Sequence, residues 1–98
     1  MSEYSEENTL SLEGEVTIYT AEEIKQELFD ALKKQQCTSV NLGDVSEFDT
    51  AGFQALLFGK VYAEQNGIEL RLEAPSGAVE EVFSLYAMNE LLEKKNGS

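Results

Sequence analysis

Polar and apolar residues alternate along Thr9-Leu10-Ser11-Leu12-Glu13 and again along Glu15-Val16-Thr17-Ile18-Tyr19, with Gly14 between the two runs. Alternation of period two is the pattern of a half-buried strand, and glycine permits a tight turn. The two runs predict either a short hairpin or one bent, continued strand. The period then changes. Ile24, Leu28 and Leu32 recur every four residues, with Phe29 and Ala31 beside them, so a helix follows. Thr20-Ala21-Glu22-Glu23 has the form of a capping box at its start, and Lys33 and Lys34 suit the negative end of its dipole.

A short strand is predicted over 38–42 (Thr38 to Leu42), then a loop from Gly43 to Phe48 pinned by Val45 and Phe48. A second helix spans about Ala51 to Asn66, with Phe53, Leu56, Leu57 and Val61 as its apolar stripe and Asn66-Gly67 as its stop. Ile68 to Leu72 alternates strictly and predicts another strand. After Pro75-Ser76-Gly77 a third helix turns Val79, Val82, Phe83 and Tyr86 inward, and Met88, Leu91 and Leu92 extend the pattern into a last helical segment. Strands alternating with helices need crossovers, which make the later strands parallel and lay helices against the sheet. The fold class is α/β, one domain over 9–93, in the order ββαβαβα, with a mixed sheet of four or five strands and three or four helices. Residues 1–8 and 94–98 are polar and are expected to be disordered tails.

Charge narrows the partners. Nineteen acidic residues against seven basic ones give a net charge of −12, which repels nucleic acid and anionic lipid and favours a basic or apolar protein surface. The chain has no histidine and one cysteine, Cys37. That excludes an internal disulfide and a Cys/His zinc site, and suits a reducing cytoplasm with Cys37 as a buried structural residue. The first residues lack the basic-then-apolar pattern of a secretory signal, and no apolar run reaches bilayer-spanning length. No membrane insertion, cofactor or metal is expected. Asp44, Glu47 and Asp49 read as a solvated acidic loop in preference to a magnesium site.

The candidate chemistry lies at Asp49-Thr50-Ala51-Gly52, where the second helix begins. Asp49 and Thr50 are good helix caps. The free amides of a helix start attract anions, and strand-to-helix loops are where sites gather in parallel sheets. Both side chains are therefore expected at an exposed rim, with Gly52 admitting the close approach of another backbone. Phe58 and Tyr62, four residues apart, read either as part of a broad packed face or as exposed anchors for a partner.

The run from Ser39 to Leu57, centred on Asp49-Thr50-Ala51-Gly52, resembles the core signature of the STAS family, with Gly14-Glu15, Asn66-Gly67-Ile68-Glu69-Leu70-Arg71-Leu72 and the helix Val79 to Leu85 in agreement. The resemblance covers roughly residues 9 to 92. It implies a bacterial, cytoplasmic, non-catalytic module that binds a partner protein through Asp49, Thr50, Ala51, Gly52, Phe58 and Tyr62. In the anti-sigma factor antagonists of this family a kinase phosphorylates the serine just before the glycine. That position is Ala51 here, so Thr50, one residue earlier, becomes the phosphorylation candidate. Thr-Ala-Gly also resembles two other STAS groups, the accessory subunit of lipid-transport ABC complexes and the chemotaxis-associated proteins. The implied partner is accordingly an anti-sigma kinase, an ABC ATPase or a chemotaxis protein. A receiver-like acidic switch fits less well, because the first strand ends at Tyr19-Thr20 without an acidic pair. An enzyme fits poorly too: there is no histidine base, nucleophile elbow or phosphate loop.

Overall fold

The computed structural model describes residues 3–4, 8–34 and 39–93, the first two by their backbone only. Its elements run β1 (Glu3–Tyr4), β2 (Thr9–Val16), α1 (Ala21–Lys33), β3 (Ser39–Phe48), α2 (Thr50–Gln65), β4 (Arg71–Glu73), α3 (Gly77–Leu85) and a 3₁₀ turn at Asn89–Leu91. Strands β2, β3 and β4 are parallel neighbours, and β1 adds to the outer edge of β2 in antiparallel sense. The fold is a mixed α/β single domain. Cys37, Thr38 and the predicted tail 94–98 lie outside the described residues.

Alternation decides which sheet face carries the core. Leu10, Leu12, Val40, Leu42 and Leu72 are buried, whereas their strand neighbours Thr9, Ser11, Asn41, Arg71 and Glu73 are half-exposed on the opposite face. On that polar face Arg71 donates from Nε to Glu73 Oε2 at 3.0 Å and from Nη2 to Ser39 Oγ at 3.1 Å. The bond and charge of Glu73 raise the Arg71 pKa above its ordinary value. The helices close the apolar face. Gly59 of α2 packs onto Leu28 of α1, where a Cβ would stand 2.5 Å from Leu28 Cδ2.

Several predicted elements shift, each for a physical reason. The two alternating runs at the start form one strand, β2, and not a hairpin. Gly14 takes a positive φ of 78° inside it, and the chain bends without reversing. The second strand of the predicted ββ pair is supplied instead by Glu3–Tyr4, within the segment read as a tail, which pairs with Ser11 and Leu10. The expected loop from Gly43 to Phe48 is the second half of β3. Its register against β2 shifts twice, from Ser11↔Asn41 to Glu13↔Asp44 and from Gly14↔Val45 to Glu15↔Glu47. Each shift gives β3 one extra residue, a bulge, so the buried Leu42 and Val45 stand three apart and the period-two signal vanishes. The capping box does not form. The Thr20 hydroxyl accepts from the Thr17 amide at 3.0 Å and donates to the Glu15 carbonyl at 2.8 Å, so the preceding turn uses it.

Strand β4 is shorter than its alternating run. The last predicted helical segment is a 3₁₀ turn, after which Leu92 bridges Leu72 in parallel and the Glu93 amide donates to the Leu72 carbonyl at 2.7 Å. Both later helices stop alike. After α2, Gly67 at φ 72° lets the Ile68 amide return to the Ala63 carbonyl. After α3 the same bond pattern links Met88 to Phe83, but Ala87 occupies the left-handed position at φ 55°. A Cβ is disfavoured there. Ala87→Gly is expected to raise stability by roughly 0.5–1 kcal/mol, the relieved left-handed cost less the added freedom of the unfolded chain. A urea midpoint that stays put or falls would contradict this.

Candidate functional site

Strand β3 ends at Phe48 and α2 starts two residues later, so Asp49 is the hinge between sheet and helix. Its backbone is extended, and its carboxylate holds two separate pieces of chain. Oδ1 accepts from the Gly52 amide at 3.1 Å, the helix cap, and Oδ2 accepts from the Ile18 amide at 3.0 Å in the turn between β2 and α1. Asp49 therefore does structural work at the rim: it ties the start of α2 to the neighbouring turn.

Thr50 occupies the first helical position and is exposed. Its hydroxyl lies 2.9 Å from the Tyr86 hydroxyl at the end of α3. The Tyr86 ring stacks on Phe53, with centroids 4.7 Å apart and planes 15° apart, and Phe53 meets the buried Phe83 edge-on at 4.8 Å. Tyr86, predicted to face inward, is instead 44% exposed: one face of its ring packs and its hydroxyl reaches the rim. No sequence signal links Thr50 to Tyr86, which stands 36 residues later.

Gly52 is buried. A Cβ there would stand 2.3 Å from the Val16 carbonyl oxygen and 2.9 Å from Val16 Cγ1. The close backbone at this glycine is the chain's own. Ala51 beside it is half-buried. The rim instead exposes apolar residues that sequence reasoning passed over. Ile18 is 69% exposed, Tyr19 86% and Leu85 77%, and Ile18 and Tyr86 are bonded to Asp49 and Thr50 respectively. Ile18 and Tyr19 looked like strand residues because their alternation continues that of β2. The strand stops at Val16, and both side chains emerge from the following turn.

Phe58 and Tyr62 part company. Tyr62 stacks on Phe29 of α1 at 5.3 Å and is half-buried. Phe58 is exposed, with the Lys25 ammonium 5.3 Å from its ring centre. The predicted α2 stripe also rotates. Gly52, Phe53, Ala55, Leu56, Gly59 and Ala63 are buried, while Val61 is exposed and Leu57 half-buried. Glycine and alanine line the inner face because α2 lies close against its neighbours, so the largest apolar residues were a poor guide to orientation. Asp44 and Glu47 are exposed on β3. Among the described residues no three acidic, cysteine or histidine side chains converge as a metal site would require.

The chain belongs to the STAS domain family. It matches the family described as "Mlab, STAS domain" over residues 1–93. The fold is also that of SpoIIAA, an anti-sigma factor antagonist. The unphosphorylated form of SpoIIAA is similar at a TM-score of 0.76 and 20% identity, covering 99% of this chain and 88% of that one. The phosphorylated SpoIIAA of Bacillus gives 0.71 and 19%, covering 99% and 91%. A Thermotoga maritima protein described as an anti-sigma factor antagonist gives 0.77 and 22%, covering 95% and 82%. No curated protein matches the chain in sequence.

Proposed function

We propose that this domain is a non-catalytic regulatory module of the anti-sigma factor antagonist type, which docks a partner protein at the start of α2 and is switched at Thr50. The observation that carries this reading is an exposed hydroxyl at a helix N-terminus, bonded to the exposed Tyr86, with the exposed Ile18 held to the neighbouring Asp49 by its amide and the exposed Tyr19 and Leu85 next to these in the chain. Exposed apolar clusters of this kind mark interaction surfaces. Membership of a regulatory family agrees, as does the existence of a similar fold in phosphorylated and unphosphorylated forms. A phosphate on Thr50 would add roughly −1.5 to −2 charges. The positive helix end tolerates that charge, but it would displace the Tyr86 hydroxyl and change the face shown to a partner. A cytoplasmic location belongs to this reading, and no described helix is long and apolar enough to cross a membrane.

Ala51 favours a second reading. Without a hydroxyl immediately before the glycine, the module resembles the accessory subunit of a lipid-transport ABC ATPase or a chemotaxis-associated protein, in which Thr50 is a contact and not an acceptor. Affinity capture from native extract with wild type and Thr50→Glu tests both. The partner recovered (an anti-sigma kinase, an ATPase or a chemotaxis protein) separates the readings. Thr50→Glu is expected to weaken that partner at least about tenfold, equivalent to about 1.4 kcal/mol, with an unchanged unfolding midpoint. Equal capture by both forms rejects docking at this rim. Asp49→Lys is the poorer probe, since it also removes the cap.

A further inference from the structure

A second surface lies along the far half of α2. Val61 is eleven residues beyond Thr50, about 16 Å along the helix axis at 1.5 Å per residue. Here Leu57, Val61, Ile68, Leu70 and Leu91 line an open groove of about 350 Å³ between α2, the approach to β4 and the 3₁₀ turn. From Thr50 to Gly59 the helix carries no charged residue, in a chain where 27% are charged. Beyond that stretch α2 carries Lys60, Glu64 and Gln65, yet Val61 among them is an exposed apolar side chain. The groove's charges sit at its rim. Glu64 and Glu69 are exposed, and the one cation lining it, Lys60, donates to the Leu70 carbonyl at 2.8 Å. That leaves an apolar floor with an acidic border.

We infer that this groove is a second docking surface, for a short amphipathic helix of another protein whose apolar side chains fill the floor and whose lysines or arginines meet Glu64 and Glu69. Charge selects this occupant. A second copy of this chain would bring another net −12 against an acidic border, and anionic lipid is repelled likewise. Apolar anchors at helical spacing laid into a groove are a recurring recognition mode. The inference extends the partner-binding reading but rests on different residues from those around Thr50.

The test titrates the full chain, isotopically labelled, with a 14-residue leucine–lysine peptide whose leucines fall on one helical face, and with a scrambled peptide of the same composition. The patterned peptide is expected to shift the amides of Leu57, Val61, Ile68 and Leu91 and to bind at least about tenfold tighter than the scrambled one. Glu64→Lys with Glu69→Lys is expected to weaken it roughly fivefold, as for a pair of exposed ion pairs turned repulsive, with the fold intact because both side chains are exposed. Thr50→Glu is expected to leave this binding unchanged, so failure at the rim and failure at the groove are separable. Equal binding of the scrambled peptide, shifts centred on Ile18, Thr50 and Leu85, indifference to the charge reversal, or a self-dimer in sedimentation that Val61→Lys dissolves would each overturn the inference.

Discussion

Gly52→Ala is expected to lower the stability of the domain by about 3 kcal/mol or more, the upper range for forcing volume into a packed site. The added methyl would stand 2.3 Å from the Val16 carbonyl oxygen and 3.0 Å from Phe48 Cε1. A backbone oxygen cannot rotate aside as a flexible side chain can. Either β2 or the first turn of α2 must move, and movement breaks one of the bonds that Asp49 makes to the Gly52 and Ile18 amides. With a total stability of about 5–15 kcal/mol for domains of this kind, that loss is a large fraction. Gly77→Ala is the control. Gly77 opens α3 and nothing lies within 4 Å of its added Cβ, so the reduced freedom of the unfolded chain predicts a gain of roughly 0.4–1 kcal/mol. Urea unfolding of the two variants should move in opposite directions. If Gly52→Ala unfolds at the wild-type midpoint, the close approach of α2 to Val16 is wrong.

The same glycine shows what a sequence can and cannot tell. Asp-Thr-Ala-Gly announced a helix start at a rim, and the rim is there. Its spacing alone did not say whose backbone approaches the glycine, because Val16 is brought alongside only by the pairing of β2 with β3 through Val16↔Phe48. Long-range partnerships of that kind were illegible elsewhere too. The bond between Thr50 and Tyr86 and the emergence of Ile18 and Tyr19 from a turn depend on where strands end. Local periodicity was reliable where one face alone is buried, as in α1 with Leu28 and Leu32. It failed in β3, where bulges break the period, and in α2, where small residues form the buried face. The α/β class survived these errors because it depends on the alternation of element types and not on their boundaries.

Phe83→Ala is expected to cost about 3–5 kcal/mol, the usual range for removing a buried phenylalanine. Phe83 is fully buried. Its ring lies between Phe48, stacked at 6.0 Å, and Phe53, edge-on at 4.8 Å, so it joins the end of β3, the start of α2 and the body of α3. Truncation leaves a cavity that none of these three can fill without leaving its own place in the core. The effect should also reach the rim. Phe53 supports the Tyr86 ring, and Tyr86 meets Thr50. Loosening Phe53 therefore lets Tyr86 leave the Thr50 hydroxyl even in molecules that remain folded. Phe83→Leu separates the two consequences, because it keeps most of the buried volume but removes the aromatic edge against Phe53. It is expected to retain most of the stability while changing the amide resonances of Thr50 and Tyr86. If Phe83→Leu leaves those resonances at their wild-type positions, the aromatic chain from core to rim does not set the geometry of the Thr50 site, and Asp49 alone holds it.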